Sequence, residues 1–185
     1  NASSVSITVK NNFDKSIYKK NIRIFGQFVD KPMLNNNFFG IKNSKNIFYS
    51  KNKNLALQMC KYISKDLIPN QIIEVHNRPY LVKIIDKNLK NKILTLFIHN
   101  DPLEMKGSKT PFDRMQLLNL VDKIYCVSNY IKDRFLTGIV SNRDKVVVLH
   151  NGVNQYNTKV NLKKKKKQII SVGRLVKEKG VDLFE

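Results

Sequence analysis

Apolar residues fall in short, nearly continuous runs separated by amphipathic stretches. Six runs have strand character: NIRIFGQF (21–28), QIIEVHN (71–77), KILTLFIHN (92–100), KIYCVS (123–128), KVVVLHN (145–151) and QIISVG (168–173). Most lack a polar alternate face, the pattern of strands buried on both sides of a parallel sheet. Helical spacing lies between them. In 79–90, Leu81, Ile84, Ile85 and Leu89 share one stripe, and Pro79 suits the first helical position. In 110–121, Thr110 and Asp113 have capping-box spacing around Pro111, and Met115, Leu118 and Val121 follow at helical intervals. In 128–137, Ser128 is placed to cap a helix whose inner face holds Ile131 and Phe135. A weaker amphipathic helix is expected over 54–67, and the first fifty residues show no clear period.

Strand and helix alternating every 20–30 residues or so predict βαβ units with right-handed connections. The expected fold class is therefore α/β, a Rossmann-like parallel sheet flanked by helices. After the fifth run comes NGVNQYNTKV, which has neither period, and then NLKKKKKQ (161–168). These predict a domain over 1–153, a basic linker over 154–167, and a second domain opening at 168–185.

Composition narrows the class. The 185 residues are 42% hydrophobic, as in a globular chain. No apolar run is long enough to span a membrane, and NASSVSITVK lacks the basic-then-apolar pattern of a secretory leader. It also lacks an initiator Met, and GVDLFE stops where a helix should begin, so an internal piece of a longer protein is expected. The net charge of +20 has three readings. Lys, Asn and Ile are over-used together, as AT-rich coding produces without any ligand. An anionic membrane surface is a second source; the Lys run reads first as a solvated spacer, and contact with lipid head groups is its other reading. Nucleic acid is the third and least favoured, because no basic–aromatic interleaving or nucleic-acid motif is present. Cys60 and Cys126 sit within apolar stretches and are expected as buried small hydrophobes, in keeping with a reducing cytoplasm.

In an open parallel sheet, ligands bind beyond the carboxyl ends of the strands. The polar residues there are His76, Asn77 and Arg78, then His99, Asn100 and Asp101, then Ser128 and Asn129, then His150, Asn151 and Gly152, and finally Gly173 and Arg174. All three histidines of the chain stand at such ends, which points to a ligand-facing rim. They come from different strands without HxH or HExxH spacing, so no metal is expected. No GxSxG elbow, P-loop or GxGxxG fingerprint occurs. After the last run, Gly173 lets the backbone approach a ligand, Arg174 offers a fork for phosphate oxygens, and Lys179 adds a point charge. Gly180 is expected to start a helix whose N–H groups add anion affinity. A solvated basic loop is the alternative for Arg174, Lys177 and Lys179.

The segments IIEVHN, LTLFIHND, VDKIYCVSNYIKDRF, VVVLHNGVN and IISVGRLVKEKGVDLF, in this order, resemble the family 4 glycosyltransferases of GT-B fold. The likeness covers about residues 70–185, and NGV followed by SVGRL and EKG is its most specific part. It implies a GT-B N-terminal, acceptor-side domain, its first strand missing, plus the first strand of a second, nucleotide-sugar-binding Rossmann-like domain. The implied activity is retaining transfer of a sugar from a nucleotide-sugar donor to a glycan or lipid-linked acceptor of the cell envelope, such as lipopolysaccharide core. The place implied is the cytoplasm or the inner face of the plasma membrane, and no cofactor or metal is implied. By position, Gly173, Arg174 and Lys179 match the diphosphate grip, with Arg174 and Lys179 catalytic. His99 matches a histidine near the transferred sugar. Asn151 and Gly152 match the domain junction. His76, Asn77, Arg78, Asn100 and Asp101 are expected to face the cleft or the acceptor. The family's glycine-rich loop is not visible, and its ExxxxxxxE region would lie beyond Glu185, so these residues alone are expected to be inactive. The alternative from another class is a non-catalytic basic α/β module holding nucleic acid or another anionic polymer.

Overall fold

The computed structural model describes residues 3–32, 37–42, 50–65, 68, 70–153, 172–173, 176–177 and 180. The chain divides into two compact units, Asn1–Val153 and Asn154–Glu185.

In the first unit, Ser3 caps helix α1, Ser4–Lys15, by accepting from the Ser6 N–H at 3.2 Å. Strand β1, Ile24–Gln27, pairs in parallel with β2, Phe38–Ile41. Helix α2, Lys51–Ile63, starts at the Ser50 cap and packs on α3, Pro79–Asn88. None of α1, β2 or the β1–β2 pairing is visible in the hydrophobic pattern.

The main sheet holds β3 (Gln71–His76), β4 (Lys92–Ile98), β5 (Lys123–Cys126) and β6 (Val146–Val148), all parallel and in that spatial order. Helices α3 (Pro79–Asn88), α4 (Pro111–Leu120) and α5 (Asn129–Leu136) connect them. This is an α/β architecture consistent with a Rossmann-like fold. Pro79 opens α3, and Thr110 and Asp113 close a full capping box on α4. Ser128 caps α5 by accepting from the Ile131 N–H at 3.2 Å.

One core fills the space between sheet and helices. Ile73, Val75, Leu94, Leu96, Ile98, Ile124, Cys126 and Val146 come from one face of the sheet, and Leu81, Val82, Ile85, Leu117, Leu118, Ile131 and Phe135 from the helices. The opposite face corrects the expectation of strands buried on both sides. There Ile72 is 66% and Ile93 41% exposed, and Phe97, Tyr125 and Val147 are half-buried. Sequential strand order explains this. With right-handed crossovers, every connection in such an order returns over the same face.

The expected inward stripe of α4 is also corrected. Met115 is exposed, and Arg114 takes an inner position at 1% exposure. Its guanidinium donates to the carbonyls of Ser108 (2.8 Å), Lys109 (2.8 Å), Phe135 (2.7 Å) and Thr137 (2.6 Å). Burial is tolerated because the head group is solvated by oxygens rather than by water. Gly107, at φ +89°, passes so close to Tyr80 that a Cβ would lie 2.9 Å from its backbone. The loop after β4 is thereby pressed onto the start of α3.

Cys60 and Cys126 are free and buried, and burial raises both thiols, Cys126 to about 12. No helix among the described residues is long and apolar enough to cross a membrane.

In the second unit, the strand expected over 168–173 is described only at Val172 and Gly173. Both are exposed and lie in no ladder. The helix expected to start at Gly180 falls on 181–185, outside the described residues. Gly180 sits at φ +65° with its N–H donated to the Lys177 carbonyl at 2.9 Å, a left-handed turn that glycine adopts without strain.

Candidate functional site

Parallel strands bring all their carboxyl ends to one edge of the sheet. β3 and β4 are neighbours, with His76 paired in register to Phe97. His76 and His99 therefore meet at that edge, His76 Nδ1 lying 3.2 Å from His99 Nε2. Two residues back along β3, on the same face, Glu74 Oε2 lies 3.4 Å from His76 Nε2.

The carboxylate fixes the direction of the protons. An ionised Glu74 can only accept, so His76 Nε2–H donates to it. His76 Nδ1 is then a lone pair, and His99 Nε2–H donates to that. The chain ends at His99 Nδ1, a bare acceptor with no protein donor among the described residues.

The rings are held sideways as well. His76 stacks on Phe97 at 4.4 Å between centroids, and Phe97 on Tyr125 at 4.7 Å, a ladder across three strands. The His99 ring lies 5.5 Å from that of His76. Burial, and then the neighbouring His76, pull the His99 ring down to about 4. His99 is neutral at physiological pH.

Asn77 sets where His99 begins. It sits at φ +54°, where asparagine is tolerated better than most side chains. Its N–H donates to the Phe97 carbonyl at 2.7 Å. Its Oδ1 accepts from the backbone N–H groups of His99 (3.1 Å) and Asn100 (3.2 Å). The Asn77 side chain thus ties the end of β3 to the end of β4.

Asp101 is occupied in a similar way. Its carboxylate accepts from Arg134 at 2.7 and 3.0 Å and from the Leu103 N–H at 2.9 Å. The Arg134 hydrogen bonds hold its carboxyl below the usual range. Arg134 reaches from α5, so the loop after β4 is anchored from α5 as well as by Gly107. Arg78 and Asn100 are exposed, and the Arg78 guanidinium has no partner among the described residues. At the end of β6, His150 Nδ1–H donates to the Val127 carbonyl at 3.0 Å, tying β6 to β5. Asn151 and Gly152 follow, both exposed, and nothing lies within 4 Å of a Cβ built on Gly152. Gly173 is exposed, and Arg174 and Lys179 lie outside the described residues.

The edge therefore brings together His76, Asn77, His99 and Asn100, while Asp101 is engaged by Arg134 and the Leu103 N–H. Sequence reasoning missed Glu74, Phe97 and Tyr125. Alternation could have found the first two, since Glu74 and Phe97 precede His76 and His99 by two positions and share their face. Tyr125 needs the register of β4 on β5. A shallow depression on α2, lined by Gln58, Lys61, Tyr62 and Lys65, contains none of these residues. Among the described residues no group of three or more His, Cys, Asp or Glu could hold a metal ion.

The His99 environment predicts a pH-dependent stability. The folded ring titrates below its unfolded value of 6.5. The unfolded state therefore binds more protons between the two values, and stability falls as pH drops from 6.5 towards 4. Full linkage would be about 3 kcal/mol, and screening at a half-exposed ring reduces it to about 1–2 kcal/mol. Urea midpoints across pH 4–7.5 should show that decline in the parent protein, and His99→Gln should flatten it. An equally steep decline in both would remove His99 as its source.

A scan of protein-family models finds no match for this chain, and no curated protein matches it.

Proposed function

We propose that residues 1–153 form the acceptor-side domain of a GT-B glycosyltransferase, with 168–185 opening its donor domain behind the basic linker 154–167. The reaction is retaining transfer of a sugar from a nucleotide-sugar to a cell-envelope glycan or lipid-linked acceptor at the cytoplasmic face of the membrane. The bond from the anomeric carbon to the donor phosphate oxygen breaks, and its electron pair leaves with the diphosphate. The acceptor oxygen bonds to the anomeric carbon on the face that the diphosphate leaves, and its proton passes to the departing phosphate oxygen.

The observation that carries this assignment is the alignment of Glu74, His76 and His99 at one edge of the sheet, 3.4 and 3.2 Å apart. It presents a neutral imidazole with a free lone pair, the complement of a sugar hydroxyl. Neutrality matters in transfer. The sugar becomes cation-like as the leaving group departs, and an imidazolium beside it would oppose that charge. The opposite charge grows on the diphosphate, where Arg174 and Lys179 are assigned to compensate it without a metal.

The test uses the full-length protein that carries these residues. Labelled UDP-, GDP- and ADP-sugars are incubated with a lipid-linked glycan acceptor. Transfer from one donor is expected, and His99→Ala should lower kcat/KM by about 10–100-fold, the usual scale for a positioned polar group. No transfer from any donor, together with a salt-dependent gel shift on nucleic acid, would replace this assignment with a basic binding module.

A further inference from the structure

The turn that follows α1 carries two large apolar side chains in full view of solvent. Ile17 is 87% and Tyr18 65% exposed. Lys15 precedes them, and Lys19 and Lys20 follow; all three are exposed, and none has a hydrogen-bond or ion-pair partner among the described residues. The sequence is thus an apolar pair ringed by three unopposed cations, KSIYKK.

The turn is built rather than loose. Ser16 ends α1 and accepts from the Tyr18 N–H at 3.1 Å. Lys19–Asn21 form a single helical turn whose Ile22 N–H returns to the Lys19 carbonyl. The side-chain amide of Asn37 then donates to the carbonyls of Lys19 (3.1 Å) and Ile22 (2.8 Å) from across the fold. A fixed backbone presents Ile17 and Tyr18 outward, so the ordering cost of docking is already met.

We propose that this turn is a docking point for an anionic lipid bilayer. Ile17 enters the boundary between head groups and acyl chains, Tyr18 sits at the head-group level that amphipathic rings favour, and the three lysines face the anionic head groups. Charge complementarity selects this occupant. A net charge of +20 repels a second copy of the chain, whereas it draws the molecule to a negative surface. Each lysine at such a surface raises partitioning about fivefold, and an inserted apolar side chain adds to that. The inference does not depend on glycosyl transfer, and its test uses no sugar.

The chain contains no tryptophan, so Tyr18→Trp installs a single reporter at the tip. With vesicles of 70% phosphatidylcholine and 30% phosphatidylserine, its emission should shift to the blue and resist acrylamide quenching, and pure phosphatidylcholine should leave it unchanged. In sedimentation with the same vesicles, Lys15→Gln/Lys19→Gln/Lys20→Gln should reduce partitioning about 100-fold, and Ile17→Ser/Tyr18→Ser about 10-fold. Both variants change only exposed side chains, and their urea midpoints should match the parent. Equal binding to neutral vesicles, an unshifted tryptophan, or parental binding by either variant would overturn the proposal.

Discussion

Arg114→Leu should destabilise the first unit by about 3–5 kcal/mol, the range for removing one member of a buried charged network. The leucine fills similar volume but leaves four carbonyl oxygens, of Ser108, Lys109, Phe135 and Thr137, without their donor. Each such loss is worth about 1–3 kcal/mol where water cannot follow. Two of those carbonyls close the end of α5, so the helix dipole also loses its cation. Arg114→Lys should recover only part of the loss, because one ammonium cannot reproduce a planar fork. Domains of this size are stable by about 5–15 kcal/mol. The urea midpoint of the Leu variant should therefore fall markedly below that of the parent, with a loss below about 1 kcal/mol counting against the network.

The second large effect concerns the donor side of the proposed reaction. Arg174→Ala and Lys179→Ala, each made in the full-length protein, are expected to lower kcat/KM for sugar transfer by about 10–1000-fold. The loss should appear in kcat, because the diphosphate gains charge as it leaves and the missing cation is needed most at that point. Arg174→Lys should restore less than half of the lost activation free energy, since it gives back charge without the bidentate fork. Lys177→Ala is the internal control and should remain close to the parent. Near-parental kinetics for both principal variants would refute the diphosphate grip. An equal loss in Lys177→Ala would point instead to a diffuse field of basic charge.

The rim of the sheet was legible because strand order leaves a local trace. Each run of β-branched residues stops at a polar residue, and parallel pairing then puts His76 and His99 at one edge. Thr110, Asp113, Ser128 and Pro79 behaved as their local chemistry dictates, since caps depend on a few neighbouring residues. What stayed hidden was decided by partners distant in sequence. Arg114 looks like a surface cation until the loops at 108–109 and 135–137 turn their carbonyls towards it. Asn77 and Asp101 look like free polar groups until the backbone of His99 and the guanidinium of Arg134 engage them. The exposed sheet face was misjudged for a related reason. Apolar character in a strand records what can be buried, whereas actual cover depends on which side each crossover takes.

Sequential strand order has a further consequence, in time rather than in space. β4 pairs with β3, β5 with β4 and β6 with β5, so each described strand after β3 finds its partner in residues made shortly before it. Among the described residues, no strand of this sheet waits for a later one to be inserted between itself and its neighbour. Pairing with the preceding strand closes a smaller loop, at less entropic cost, than pairing with a distant one. The sheet can grow by one strand and one helix at a time as the chain leaves the ribosome, each addition closing over a surface already built.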